Sequence, residues 1–423
     1  MTIGSSTTEC QEVQTRGRLV QLLLLTMAAT AAIYARTALG PLQEAIRAAF
    51  TLSDNQIALL QGPALALPLV IAAIPLGLVI DRYPRLRVVF VLTVLNLVGS
   101  LATALAVNFG ILLAARCLIG ATGTSTYLVT VSLLSDLYAA SQRGRATMIV
   151  TLGAVCGMSA AFALGGELLS MSDSGPYGWR RAMLWLSAPL LAVVLLTPAM
   201  REPARTGVTM EKPSMRESYR QLKRYRALLV PLVAGLAMVV IADGASTIWA
   251  APTLSRRFAL PPERFGAIMS MVLLVSGFLG PLLGGIVADV CQRVGGPRRT
   301  ISALAVLAFL SIPAAFFPVA RDVASVTGLL VAFMTIGVSC NVTVPALITI
   351  VIPNELRGLC LTLTSGTCML SAFGLAPLAV SVLSGPIGGP SKIGTALAIV
   401  CVTASAIGAA TFMFGRRYLP VRT

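Results

Sequence analysis

Apolar runs of about 20 residues, the length of helix that crosses a ~30 Å hydrocarbon core, recur along this sequence from end to end. Lipid offers no partner to a backbone N–H or C=O, and the period-2 alternation of a barrel strand is missing. Each run is therefore predicted to be a helix. Twelve are read, at 19–40, 56–80, 88–107, 109–134, 146–169, 181–199, 227–251, 264–288, 300–320, 323–352, 359–384 and 393–414. Only 11% of the residues are charged and 56% are hydrophobic, against roughly 25% charged in a soluble domain. The solvent of this fold is lipid.

A net charge of +16 could serve a nucleic-acid partner, but its arginines lie in short loops between apolar spans, so no nucleic acid is expected. Their distribution instead orients the chain. Arg16, Arg18, Arg82, Arg85, Arg87, Arg143, Arg145, Arg357 and the basic stretch 200–226 share one side. The opposite loops hold fewer, among them Arg47, Arg180, Arg181, Arg256, Arg257 and Arg264. By the positive-inside rule both termini are cytoplasmic. The expected domains are a tail 1–18, a six-helix bundle 19–199, a basic cytoplasmic linker 200–226, a second bundle 227–414 and a tail 415–423. Residues 1–18 carry no apolar core, so no cleavable signal peptide is expected and the first span also directs insertion.

Histidine is absent, which removes the commonest metal ligand and the usual side chain that titrates near neutrality. The eight cysteines form no CxxC pair, and six fall inside apolar spans. They read as reduced packing residues rather than a disulfide framework. No metal site and no cofactor are expected. Paired carboxylates at catalytic spacing and nucleophile constellations are also missing, so the chain is not read as an enzyme.

The two halves echo each other. PLGLVIDR at 75–82 matches PLLGGIVAD at 281–289, pairing Gly77 with Gly285 and Asp81 with Asp289. DLYAASQRGRA at 136–146 echoes PNELRG at 353–358. Such internal repeats underlie transporter folds. The run Gly77-Leu-Val-Ile-Asp81-Arg82-Tyr-Pro-Arg85-Leu-Arg87 resembles the loop motif between the second and third helices of the major facilitator superfamily. LLAARCLIG, ending at Gly120, resembles that family's fourth-helix motif. Tyr34-Ala35-Arg36, LSDNQIALLQG at 52–62 and GWRRA at 178–182 resemble its Spinster-like branch, and organic-anion symporters share much of the pattern. The first-helix acid of that branch is missing here, and Ala-Thr-Gly-Thr-Ser after Gly120 replaces its fourth-helix acid. The resemblance implies an all-α polytopic membrane protein of twelve transmembrane helices in two pseudo-symmetric six-helix bundles. It also implies a secondary transporter working by alternating access, with the first, fourth and seventh helices lining a central cavity.

Charges inside spans usually face a cavity or a partner, because each costs ~2.5–3.5 kcal/mol at mid-helix on insertion scales. Arg36, Arg116, Glu167 and Asp243 qualify, all in the outer half of the bilayer. Arg36 and Asp243 lie at matching depths in repeat-related helices, so a pair across the cavity is expected. The symmetry mate of Arg116 is Phe333, which suggests a functional arginine; the alternative is a structural partner of Glu167 or of backbone carbonyls. Glu167 is equally readable as a solvated helix end. Milder cavity polarity comes from Gln61, Thr122, Thr124, Ser125, Tyr127, Ser339 and Asn341. For gating, Asp81 with Arg82, Arg85 and Arg87, and Asp289 with Arg293, are expected as latches, with Gly77 and Gly285 letting helices approach closely. Trp179 and Trp249 are expected in the interfacial belt.

Two arginines in an otherwise apolar cavity favour an organic anion or amphiphile as the small-molecule substrate, with protons or another ion as coupling partner. Gly157 is followed by Met158 where the family's antiporter motif places proline, which argues against drug–proton antiport. Multidrug efflux, or a transporter-like receptor that binds without moving its ligand, are the competing functions. A monomer in the bacterial inner membrane is expected.

Overall fold

The computed structural model describes residues 4–172, 175, 177–200, 202 and 220–418, with the backbone alone at 4–17, 74, 81, 135 and 140. Most of the linker 203–219 and the tail 419–423 lie outside the described residues. The described chain is helical throughout, without a strand.

The first half runs through α1 (Gly4–Thr37), the short α2 (Gln43–Ala49), α3 (Asp54–Gln61), α4 (Pro63–Arg82), α5 (Arg85–Ala104), α6 (Phe109–Leu137), α7 (Ala140–Ser170) and α8 (Gly178–Leu196). The second half holds α9 (Arg226–Phe258), α10 (Pro262–Ala314), α11 (Val323–Val351), α12 (Asn354–Met369), α13 (Ala376–Gly388) and α14 (Ile393–Gly415). Ten of the described segments are long and apolar enough to span, two of them 58 and 65 residues long. At 1.5 Å per residue those two would run about 87 and 98 Å, roughly three times the bilayer core, too long for one crossing. Each is broken internally, at Gly296 and at Gly388–Gly389, so each holds two crossings and twelve result.

Local chemistry marks the breaks. In α10 the helix breaks at Gly296, with φ 64° and ψ −160°, a conformation open to glycine, just before Pro297, which disfavours the helical region at its neighbour. The second span breaks at Gly62, followed by Pro63 at the first position of α4. A capping box at Ser53 and Gln56 starts α3. Asn108 caps α6 by accepting from the Ile111 N–H, and Asp322 caps α11 by accepting from Ser325. These caps open the fourth and tenth spans, so the repeat extends to its helix starts. Asp322 lies in a loop, and its bond from the Ser325 N–H holds its carboxyl below the usual carboxylate range.

Within the first half α1 packs on α6 and α7, α4 and α5 on α6, and α5 on α8; within the second, α10 packs on α11 and α9 on α14. The halves meet along two seams. One joins α7 to α10; the other joins α4 to a π-helical segment, Leu370–Leu375, between α12 and α13. In the first seam a Cβ on Gly166 would lie 2.5 Å from the Pro262 carbonyl oxygen, and one on Gly266 2.7 Å from that of Phe162. Small residues allow such backbone approach where lipid supplies no hydrophobic drive.

Trp179 and Trp249 are buried, at 2% and 0% exposure, which corrects the interfacial expectation. The Trp249 Nε1–H donates to the Pro377 carbonyl at 3.2 Å, so its one polar group is used within the second half.

Candidate functional site

The candidate cavity is walled by Arg36 of α1, Leu65, Ala66 and Leu69 of α4, Gly120 and Thr124 of α6, and Met369 and Phe373 from the end of α12 and the π segment. Its free space of ≈ 220 Å³ includes the open solvent at its mouth, so the enclosed part is far smaller than a typical ligand pocket of ~300–1,000 Å³. Arg36 supplies the one charge. It is half-buried, and its guanidinium carbon lies 4.5 Å from the centre of the Phe373 ring.

Arg116 sits beside Arg36 but does other work. It is fully buried. Its Nη2 donates to the Arg36 carbonyl at 3.0 Å and its Nε to the Leu60 carbonyl at 3.3 Å. Those carbonyls belong to the last turns of α1 and α3, where carbonyls lack helical partners and the peptide dipoles favour a cation. This is the structural alternative, a guanidinium holding two helix ends. Nη1 remains without a partner.

The expected pair between Arg36 and Asp243 is not formed: neither belongs to an ion pair among the described residues. Matching depth fixes height, not direction around the helix axis. Arg36 turns to Phe373, whereas Asp243 faces α11 at Gly337, where a Cβ would lie 3.2 Å from its Oδ1. That oxygen is buried and without a partner.

The remaining polar candidates divide. Thr124 lines the cavity. Gln61 instead donates from Nε2 to Oε1 of Gln43, a buried amide pair. The Tyr127 hydroxyl meets Thr151 Oγ1 at 3.1 Å, inside the first half. Thr122, Ser125 and Ser339 donate to helix carbonyls. Asn341 is exposed, and so is Glu167, which makes the latter a helix-end charge rather than a partner of Arg116.

At the face that carries the termini, the side chain of Asp81 lies outside the described residues. Arg85 pairs with Asp136 at 2.6 Å. Glu202 accepts from the backbone N–H groups of Arg85 and Leu86 at 2.8 and 2.9 Å, an anion at the start of α5. Arg82 is exposed. Asp289 and Arg293 are both exposed, and no ion pair joins them among the described residues. A Cβ on Gly77 or Gly285 would meet nothing within 4 Å, so these glycines bring no helices together in this conformation.

The opposite, far face is closed by a contact that sequence reasoning missed. Arg256, near the end of α9, donates from Nε and Nη2 to Glu44 at 2.9 and 2.7 Å, and from Nη1 and Nη2 to Asp54 at 3.0 and 2.8 Å. Glu44 and Asp54 begin α2 and α3, so the clamp crosses between halves. Nη1 also reaches the Pro390 carbonyl beyond α13 at 3.3 Å. Asp54 is 6% exposed, and bidentate Arg–carboxylate pairs are the strong class of such contacts. The readable signal was charge complementarity: two acids in one half's far loop opposite Arg256 in the other's.

A two-bundle helical fold with a small central cavity, sealed on one face, defines the architecture of a membrane carrier. The family profile of the Major Facilitator Superfamily matches residues 25–377, and the chain belongs to that superfamily of transporters; it is not an enzyme. Among solved structures it resembles a bacterial homologue of the human lysosomal transporter Spinster, inward-facing and unoccupied. The TM-score is 0.79 at 20% identity, covering 95% of this chain and 97% of that one. A D-xylose–proton symporter superposes with a TM-score of 0.68 at 15% identity, over 95% and 97%. A triacylglyceride transporter of Mycolicibacterium hassiacum is 32% identical over 148 residues, which are 33% of this chain. The match spans only 27% of that relative's length.

Proposed function

We propose that the protein carries a small organic anion or anionic amphiphile across the inner membrane of a bacterium by alternating access, as a monomeric secondary transporter. Its termini and the basic 200–226 segment then face the cytoplasm. The observation that carries this reading is Arg36: a guanidinium on an otherwise apolar cavity wall, in no ion pair among the described residues. An unpaired charge is expensive at membrane depth, and an anionic cargo offsets that cost in the loaded state. Few amides are left to read a sugar, because Gln61 is engaged by Gln43. The relative named for triacylglyceride transport supports a cargo with an apolar portion. The Arg256 clamp at the far face, together with the open space around Gly77 and Gly285 at the other, supports a state open to the cytoplasm.

Coupling falls to Asp243 in this reading. The chain has no histidine, and the buried Oδ1 of Asp243 is unpartnered, a place where a proton removes an uncompensated charge.

The test is thermal stabilisation of the purified protein by a panel of organic acids and lysophospholipids, each paired with an uncharged analogue, since ligands of the folded state raise its apparent stability. Anions should raise Tm, and Arg36→Gln should erase the rise. Equal stabilisation by charged and uncharged members would refute the anion site.

A further inference from the structure

We propose that Phe373 sets affinity and specificity at Arg36 by occupying, in the empty carrier, the position that the cargo's anionic group takes. The inference rests on the anion reading above and names a residue that reading does not require.

Three observations meet at this side chain. The ring lies under the Arg36 guanidinium at 4.5 Å, within the ~6 Å over which an aromatic face attracts a cation. It also walls the cavity next to Thr124, Leu65 and Leu69. Third, Phe373 sits in the π-helical segment Leu370–Leu375. One extra residue per turn re-aims side chains, and such bulges are frequent at functional sites. The backbone of this segment is pressed on the break in the second span: a Cβ on Gly62 would lie 2.5 Å from the Phe373 carbonyl oxygen. The backbone that carries the ring is thereby fixed against α4.

Arg36 pairs with no carboxylate among the described residues, and the quadrupole of the Phe373 ring offsets part of its charge. An anion gives the guanidinium a stronger partner, and one that approaches the face the ring covers must displace the ring first. A neutral ligand cannot repay that displacement. Phe373 therefore raises the threshold for binding and rejects uncharged analogues, while its displaced ring remains available to an apolar tail. The segment continues into α13, beyond which Pro390 accepts from Arg256 of the far-face clamp.

The experiment uses 1-octanesulfonate, permanently charged at every working pH, with 1-octanol as its uncharged partner. Binding is measured by titration calorimetry on the full chain in maltoside detergent. Phe373→Leu should bind octanesulfonate roughly three- to tenfold more tightly than the wild type, the range a part-buried cation–π contact implies. The preference over octanol should narrow. Phe373→Tyr, which keeps the ring face, should stay within about twofold of the wild type, so the two variants separate loss of the ring from general damage. Arg36→Gln should lose octanesulfonate in every background. Unchanged or weaker binding by Phe373→Leu, with Arg36→Gln still abolishing it, would overturn the role of Phe373 and leave the anion site standing. Binding retained in Arg36→Gln, or absent from both the wild type and Phe373→Leu, would overturn the anion site and this proposal with it.

Discussion

Arg36 and Arg116 are neighbours in space with the same side chain, yet their surroundings give them different work. Arg116 replaces missing helical donors at two helix ends. Arg116→Met should leave the Leu60 and Arg36 carbonyls unsatisfied and cost about 2 kcal/mol or more of stability, since hydrogen bonds to charged groups are each worth about 1.5–3 kcal/mol. The check is a denaturation midpoint in detergent, and an unchanged midpoint would contradict the helix-end role. Arg36→Gln should leave that midpoint nearly unmoved, because only a ring contact is lost. A single charge in one copy of a repeat marks a position as special without saying whether for cargo or for scaffold; that depends on which carbonyls the side chain reaches, and sequence spacing carries no such information. Asp243 was legible as a buried acid for the same reason that its partner was not: depth is encoded by position along a span, azimuth by packing. If Asp243 carries the coupling proton, Asp243→Asn should still equilibrate cargo down its gradient but fail to accumulate it under a proton gradient. Accumulation at the wild-type level would remove it from the coupling path.

At the scale of elements, the spans follow from hydropathy because each must satisfy its own backbone in lipid. Their ends and breaks were legible only in part. The Asx caps at Asn108 and Asp322, and the breaks at Gly62 and Gly296, have local chemistry that the sequence carries. The π segment does not, since Leu370–Leu375 contains nothing that distinguishes it from the helix on either side. The far-face clamp was also hidden, because Glu44, Asp54 and Arg256 are ordinary loop-end charges until two halves are docked. Breaking it by Arg256→Gln should weaken far-face closure by about 2 kcal/mol, roughly thirtyfold in the ratio of closed to open states. Spin labels at the exposed Leu105 and Phe316, in a cysteine-free background, should then report longer far-face distances by pulsed electron resonance. An unchanged distribution would show that the clamp does not hold the face shut. Beside it, Ala259 ends α9 in the left-handed conformation at φ 49°. Ala259→Gly should therefore raise stability by about 1 kcal/mol, measurable as a higher midpoint.

For the whole molecule, the two-bundle plan and the superfamily were legible because the loop motif and the repeat are local strings that survive without any structure. Of the expected latches, the Asp81 side chain lies outside the described residues, Arg85 reaches Asp136, and Asp289 and Arg293 stand exposed with no ion pair joining them among the described residues. A sequence lists the contacts of all conformations at once, whereas one conformation realises only some of them, here those that close the far face. The central claim is that the carrier moves organic anions by way of Arg36. Uptake into proteoliposomes tests it most directly, using labelled succinate, glucuronate and lysophosphatidylglycerol beside succinamide, glucose and monoacylglycerol, none of the charged three crossing lipid readily on its own. The account predicts that at least one anion is taken up by the wild type, that its uncharged partner is not, and that Arg36→Gln lowers the rate at least tenfold while the protein remains folded. Uptake confined to uncharged solutes, or anion uptake undiminished in Arg36→Gln, would contradict it.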